Sequence, residues 1–204
     1  MVAIIDYGVG NLFSLQSSFA AIGEDAVVTG DEKVIAAADR IILPGVGAFG
    51  DAAAKLRLTG LDKVVIRQAS EGKPLLGICL GMQLLFDKSY EFGEHKGLGL
   101  IKGSVRPISG VTGEGLKIPH IGWNALIIKR RDPVLKYTKD GDHVYFVHSY
   151  YAADCEKSVT AVTEYGAELT AAVSDRNVFG VQFHPEKSGD VGLQMLKAFC
   201  EVRV

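Results

Sequence analysis

Lys73-Pro74-Leu75-Leu76-Gly77-Ile78-Cys79-Leu80-Gly81-Met82-Gln83-Leu84-Leu85-Phe86 decides how the rest of the chain is read. Pro74 to Ile78 has the length and composition of a buried strand, and a helix-forming run starts directly after Cys79. Glycines stand two positions before and two positions after the cysteine. That is the G-x-nucleophile-x-G elbow with cysteine where serine commonly sits. A sharp strand-to-helix turn leaves no room for a Cβ on either flank. It lifts the central side chain clear of the sheet and sets its sulfur at a helix start, where the macrodipole favours the thiolate. A structural cysteine beside two convenient glycines would read the same way over this stretch alone.

Upstream, strand and helix alternate. Val2 to Ile5 is a short apolar strand ending in Asp6-Tyr7-Gly8-Val9-Gly10-Asn11, where Asn11 is placed to cap a helix from Leu12 to Ile22 that Gly23 stops. Ala26 to Thr29 reads as strand, Asp31 opens a helix through Ala38, and Arg40 to Leu43 is a third strand. Asp51 to Gly72 reads as helix broken at Thr59-Gly60. This alternation predicts a parallel sheet covered on both faces. Beyond Phe86 the rhythm changes. Asp87 to Gly103 reads as loop-rich. Strand signals then recur at Trp123–Ile128, His143–Tyr150, Val159–Tyr165, Leu169–Val173 and Val178–Phe183, as hairpins extending the sheet, before a closing helix from Asp190 to Val202. No linker or repeat interrupts this, so residues 1–204 are expected to form one α/β domain with a mixed sheet.

Composition narrows the class. The chain has 204 residues, 48% hydrophobic and 23% charged, as a globular protein with a well-buried core would. A formal net charge of −2 gives no electrostatic case for nucleic acid, and Lys129-Arg130-Arg131 reads as a solvated turn. No apolar run is long enough to span a bilayer, and Met1-Val2-Ala3-Ile4-Ile5 is too short for a signal peptide. Cys79, Cys155 and Cys200 are odd in number and widely spaced, which fits neither a disulfide framework nor a zinc site. A reducing, cytoplasmic setting is expected, with no metal and no cofactor.

A second constellation lies late in the chain. Phe179-Gly180-Val181-Gln182-Phe183 delivers His184-Pro185-Glu186. In extended chain, residues i and i+2 project from one face roughly 7 Å apart, and Pro185 stiffens the tripeptide. The carboxylate of Glu186 can hold the His184 ring while its other nitrogen faces a nucleophile. Acyl transfer also develops an oxyanion. Pro44-Gly45-Val46-Gly47 follows a strand on the same sheet edge as Cys79, with glycines that expose backbone amides. Cys79, His184 and Glu186 therefore form the candidate triad. Gly45, Val46 and Gly47, with Leu80 after the nucleophile, form the candidate oxyanion site.

Gly77-Ile78-Cys79-Leu80-Gly81-Met82-Gln83 together with Phe183-His184-Pro185-Glu186 resembles the class I, triad-type glutamine amidotransferases. Asp6–Asn11, Pro44–Gly47, Gly97–Leu100, Pro119–Asn124, Tyr145–Tyr150 and His184–Ser188 resemble one branch closely, the glutaminase subunits that serve histidine biosynthesis. The resemblance runs essentially end to end. It implies a three-layer, flavodoxin-like fold with a mixed, mostly parallel central sheet. It also implies that Cys79 attacks the amide of glutamine, that His184 shuttles the proton to ammonia and that Glu186 orients His184. Gln83 and Glu91 match positions that hold glutamine's backbone groups, and His148, Ser149 and Tyr150 match the segment lining its pocket. Asn11, Trp123, Asn124, Tyr145 and Lys187 match positions at or near the interface with a (β/α)8-barrel synthase subunit, the partner that receives the ammonia. Three other readings stay open at this point: a glutaminase of the pyridoxal phosphate or anthranilate pathway, a silent subunit that only binds a partner, and an unrelated cysteine hydrolase.

Overall fold

The computed structural model describes residues 1–113 and 115–203. Its first part keeps the expected alternation: β1 (Val2–Ile5), α1 (Leu12–Ala21), β2 (Ala26–Thr29), α2 (Glu32–Ala37), β3 (Arg40–Leu43), α3 (Phe49–Leu58), α4 (Leu61–Ser70) and β4 (Leu75–Ile78). Local chemistry sets the boundaries. The Lys33 N–H donates to the Asp31 carboxylate at 2.8 Å and caps α2. Gly60 takes φ 75° and separates α3 from α4. Asn11 stands at the start of α1 but makes no side-chain bond to it, so that cap is not formed.

The chain continues through α5 (Leu80–Leu84), β5 (Phe86–Ser89), β6 (His95–Lys96), β7 (Ile101–Pro107), β8 (His120–Ala125), β9 (Ile127–Ile128), β10 (His143–His148), β11 (Tyr150–Ala153), β12 (Val159–Glu164), β13 (Glu168–Asp175), β14 (Val178–Val181) and α6 (Gly189–Cys200). The central sheet has the order β2-β1-β3-β4-β14-β13-β12-β9. From β2 to β14 the neighbours are parallel, in the doubly wound manner, and the remaining pairings are antiparallel.

Two further expectations are corrected. The loop-rich segment 87–103 also holds short strands: β5, β6 and the start of β7 lie there and join β11 in a separate four-stranded sheet, β11-β7-β5-β6. Phe86-Asp87-Lys88-Ser89 and His95-Lys96 are too short to show alternation. The helix after Cys79 is short and ends at Leu84, because incoming N–H groups of Leu98 and Leu100 take the carbonyls of Leu84 and Leu85 at 2.8 Å each. Nor do all later strands extend the sheet as hairpins. Among the described residues β8 pairs only with β10, and β14 lies parallel to β4 with Gly180 opposite Gly77. The strand carrying His184 thereby ends beside the one carrying Cys79.

Alternation along β1 divides the core. Ala3 and Ile5 join the cluster under α2, α3 and α4, which supply Ile35, Phe49, Leu56 and Val65. Val2 and Ile4 join the cluster under α1 and α6, with Phe19, Leu196 and Phe199. Helix, sheet and helix make three layers.

Candidate active site

The site is built on the ends of β3, β4 and β14. Cys79 sits at φ 54°, ψ −112°, a positive φ that only a few non-glycine residues here adopt. Its N–H donates to Val181 O at 2.8 Å, which stitches the elbow to β14 as the chain turns. A Cβ on Gly81 would stand 1.8 Å from Leu43 O, and one on Gly77 2.7 Å from Gly81 O, so both flanks must be glycine. Leu43 leads into Pro44-Gly45-Val46-Gly47, and the same contact presses the elbow against that segment. The Tyr7 hydroxyl donates to Pro44 O at 2.7 Å and pins its base. Gly47 lies at φ 93°, and Val46 is 40% exposed. Among the described residues, no backbone hydrogen bond holds the Val46 N–H.

His184 is held from several directions. Its N–H donates to Tyr145 O at 2.9 Å, and the Ser188 hydroxyl donates to its carbonyl at 2.6 Å while accepting from the Tyr145 N–H at 3.0 Å. His184 Nδ1 donates to Glu186 Oε1 at 2.8 Å, with side chains only 4% and 1% exposed. His184 Nε2 has no hydrogen-bond partner among the described residues. Burial would strip a proton from this ring, but the charge of Cys79 and the hydrogen bond and charge of Glu186 prevail and hold its pKa up at about 10. The arrangement favours an imidazolium on the cavity that Cys79 also lines, the partner that nucleophilic cysteine chemistry requires.

A cavity of about 300 Å³ opens on these groups. Val46, Gly47, Cys79, Leu80, Gln83, Glu91, His148, Ser149, Tyr150 and His184 all line it, so most of the anticipated site residues are brought together. Gly45 lies behind the wall, where a Cβ would meet Gly81 N at 2.9 Å, and Glu186 lies behind His184. Gln83 Nε2 donates to Tyr150 O at 3.1 Å and to Gln182 Oε1 at 2.9 Å. Both amide protons are thereby engaged, and Gln83 has only its Oε1 acceptor left to offer. Glu91 Oε2 accepts from the Phe49 N–H at 2.5 Å, tying it to the start of α3. His148 Nδ1 donates to Tyr150 O at 2.8 Å, and burial drives its pKa down to about 4, so the ring is neutral.

The residues expected at a partner surface divide into two groups. Trp123 is 53% exposed and meets Tyr145 edge-on at 6.1 Å, with the Lys187 ammonium 5.8 Å from the Tyr145 ring. Asn11 is half-buried. Asn124 turns inward, its Oδ1 2.8 Å from His120 Nε2 and its Nδ2 donating to Glu164 O. Sequence reasoning missed Tyr7, Pro119, His120 and Gln182. Gln182 carried a legible signal, a polar residue two positions before His184 in an apolar strand. Tyr7, Pro119 and His120 fall in segments that carry the resemblance, but nothing in their type or spacing gave them a role. Among the described residues no His, Cys, Asp and Glu cluster could hold a metal ion, and all three cysteines are free and buried. No helix is long and apolar enough to cross a membrane among those residues.

A strained cysteine elbow, a buried His–Glu pair and a glycine-flanked amide on one doubly wound sheet define the class, and over residues 3–202 the chain belongs to the glutamine amidotransferase class-I family. Solved structures agree on the fold. A glutamine amidotransferase crystal structure aligns at TM-score 0.75 over 98% of this chain and 100% of that one, at 19% identity. PurLQS from Thermotoga maritima aligns at TM-score 0.74 over 98% of this chain and 96% of its own, at 22% identity. Among relatives, the imidazole glycerol phosphate synthase subunit HisH of Caldanaerobacter subterraneus subsp. tengcongensis is 52% identical over 99% of this chain and 98% of its own length. The subunit of the same name from Geobacter sulfurreducens is 51% identical over 99% of each chain.

Proposed function

We propose that this chain is the glutaminase subunit of an imidazole glycerol phosphate synthase in histidine biosynthesis, working in the cytoplasm without a cofactor. It hydrolyses L-glutamine to glutamate and passes the ammonia to a separate (β/α)8-barrel subunit, which forms imidazole glycerol phosphate and an aminoimidazole carboxamide ribotide from a phosphoribulosyl precursor. The observation that carries the reaction class is the buried His184–Glu186 pair opening on the same cavity as the strained Cys79. Identity near one half over the full chain with the HisH subunits supports the pathway.

The chemistry follows from the geometry. The Cys79 thiolate adds to the side-chain amide carbon of glutamine, and the carbonyl electrons move onto oxygen. The Leu80 N–H, first in α5, and an N–H of the Gly45-Val46-Gly47 segment receive that oxyanion. The His184 imidazolium gives its proton to the departing nitrogen, the C–N bond breaks, and ammonia leaves a thioester. His184, now neutral, takes a proton from water as it attacks the thioester, and glutamate departs with the thiolate restored. Glu186 holds the ring in place throughout. Glu91 and the Gln83 carbonyl present negative and acceptor groups to the α-ammonium of glutamine, while His148, Ser149 and Tyr150 form the opposite wall. Trp123, Tyr145 and Lys187 form the face for the barrel subunit, and Asn11 and Asn124 are assigned to it from the resemblance alone.

The test is labelling with a glutamine-derived electrophile, followed by a glutaminase assay with the barrel subunit present. Modification confined to Cys79 and loss of glutamine hydrolysis are expected. Full labelling of a Cys79→Ala chain would refute the assignment.

A further inference from the structure

Gln182 is fully buried and lies on neither the cavity wall nor the surface. Its Nε2 stands 3.7 Å from Cys79 Sγ, and its Oε1 accepts from Gln83 Nε2 at 2.9 Å. The direction of this chain of bonds is set at its far end. Tyr150 O is a backbone carbonyl and only accepts, so Gln83 must turn its NH2 toward it, at 3.1 Å. The other proton of that NH2 then points at Gln182, which must answer with its carbonyl oxygen. The Gln182 NH2 is left facing sulfur. His148 Nδ1 also donates to Tyr150 O, at 2.8 Å, and fixes that carbonyl further.

We propose that Gln182 is a thiolate-orienting residue, the last member of a one-way amide relay from Tyr150 O through Gln83 that presents an N–H to the Cys79 sulfur. A neutral thiol accepts such a bond weakly and a thiolate strongly, so the relay favours the nucleophilic form and fixes its direction. Among the described residues the sulfur's other hydrogen bond is to Val147 O at 4.0 Å, an acceptor that suits the thiol alone. The relay also couples recognition to chemistry, because Gln83 faces the cavity at one end and sets the donor at the other.

The proposal rests on Cys79 being the nucleophile, and its test keeps the two ideas apart. Iodoacetamide alkylation of Cys79 is followed by mass spectrometry across pH in the wild-type chain and in Gln182→Met, which keeps the volume but has no donor. Gln182→Met is expected to react roughly tenfold more slowly at pH 7, with the gap closing at alkaline pH as every thiol ionises. Glutamine turnover in the complex should fall by a similar factor with little change in KM. Identical profiles for the two proteins, or a loss equal at every pH, would overturn the relay. Failure of the wild-type Cys79 to react at all would instead overturn the nucleophile. If Gln182→Met does not fold, Gln83→Met tests the same relay. It should lose reactivity several-fold at pH 7 and regain it at alkaline pH, and an unchanged profile would overturn the proposal.

Discussion

His184 keeps its extra proton because two partners outweigh burial, and each partner can be removed separately. Cys79→Ala should abolish glutamine hydrolysis while a complex with the barrel subunit still makes product from free ammonia. Near-normal glutamine turnover in that variant would contradict the assigned nucleophile. Glu186→Gln is expected to be milder, because the ring still visits the right orientation part of the time. Its loss should fall in kcat, within the roughly 10²–10⁴-fold range of acid–base groups, with KM almost unchanged. An effect confined to KM would make Glu186 a binding residue. At this scale the sequence was most informative where residue type and spacing specify chemistry, as with Gly77-Ile78-Cys79-Leu80-Gly81 and His184-Pro185-Glu186. Tyr7 and His120 were not legible, because their importance comes from contacts with Pro44 and His148, far away along the chain.

Between β3 and α3, the segment Pro44 to Gly47 is the element most open to regulation. Val46 is flanked by glycines, its N–H is not tied into the ladder, and a peptide plane there can reverse at small steric penalty. The isolated chain is expected to be a poor glutaminase, stimulated on the order of 10²–10³-fold when the barrel subunit and its ligand turn the amide toward the oxyanion. Val46→Pro, which has no N–H, should hydrolyse glutamine slowly even in the complex; equal rates for the chain alone, with partner and with partner plus ligand would rule out the gate. Gly81→Ala should fail differently. Its methyl would meet the backbone of Leu43 rather than a flexible side chain, so both elbow and Pro44 segment must shift, and thermal stability should fall along with activity. The doubly wound half of the fold was legible because each element there is regular and ends in a turn residue. β5, β6 and the short α5 were not, since long-range pairing with β7 and with the Gly97–Leu100 segment decides them.

For the molecule as a whole, buried histidine links stability to pH. His148 has a folded pKa near 4 against an ordinary value of 6.5, so the unfolded chain binds more protons between those limits. The contribution of this residue is therefore present in full above about pH 6.5 and falls as pH drops toward 4, by about 3 kcal/mol. Burial depresses His120 in the same direction. Thermal melts between pH 4 and 7 should show the fall, and a His148→Gln variant should flatten it. Lys187→Ala acts on association instead. The isolated variant should melt like the wild type but bind or respond to the barrel subunit less well, measured by titration of glutaminase stimulation. Normal association and activation would reduce Lys187 to a solvated charge.

The most direct measurement follows the nitrogen. The complex is given glutamine labelled at its amide nitrogen, in a buffer containing unlabelled ammonium. The labelled nitrogen should enter the imidazole product in the wild-type complex, and only unlabelled nitrogen should enter it in Cys79→Ala. Label absent from the wild-type product, or still present with Cys79→Ala, would contradict a glutaminase that works through Cys79 and feeds its partner.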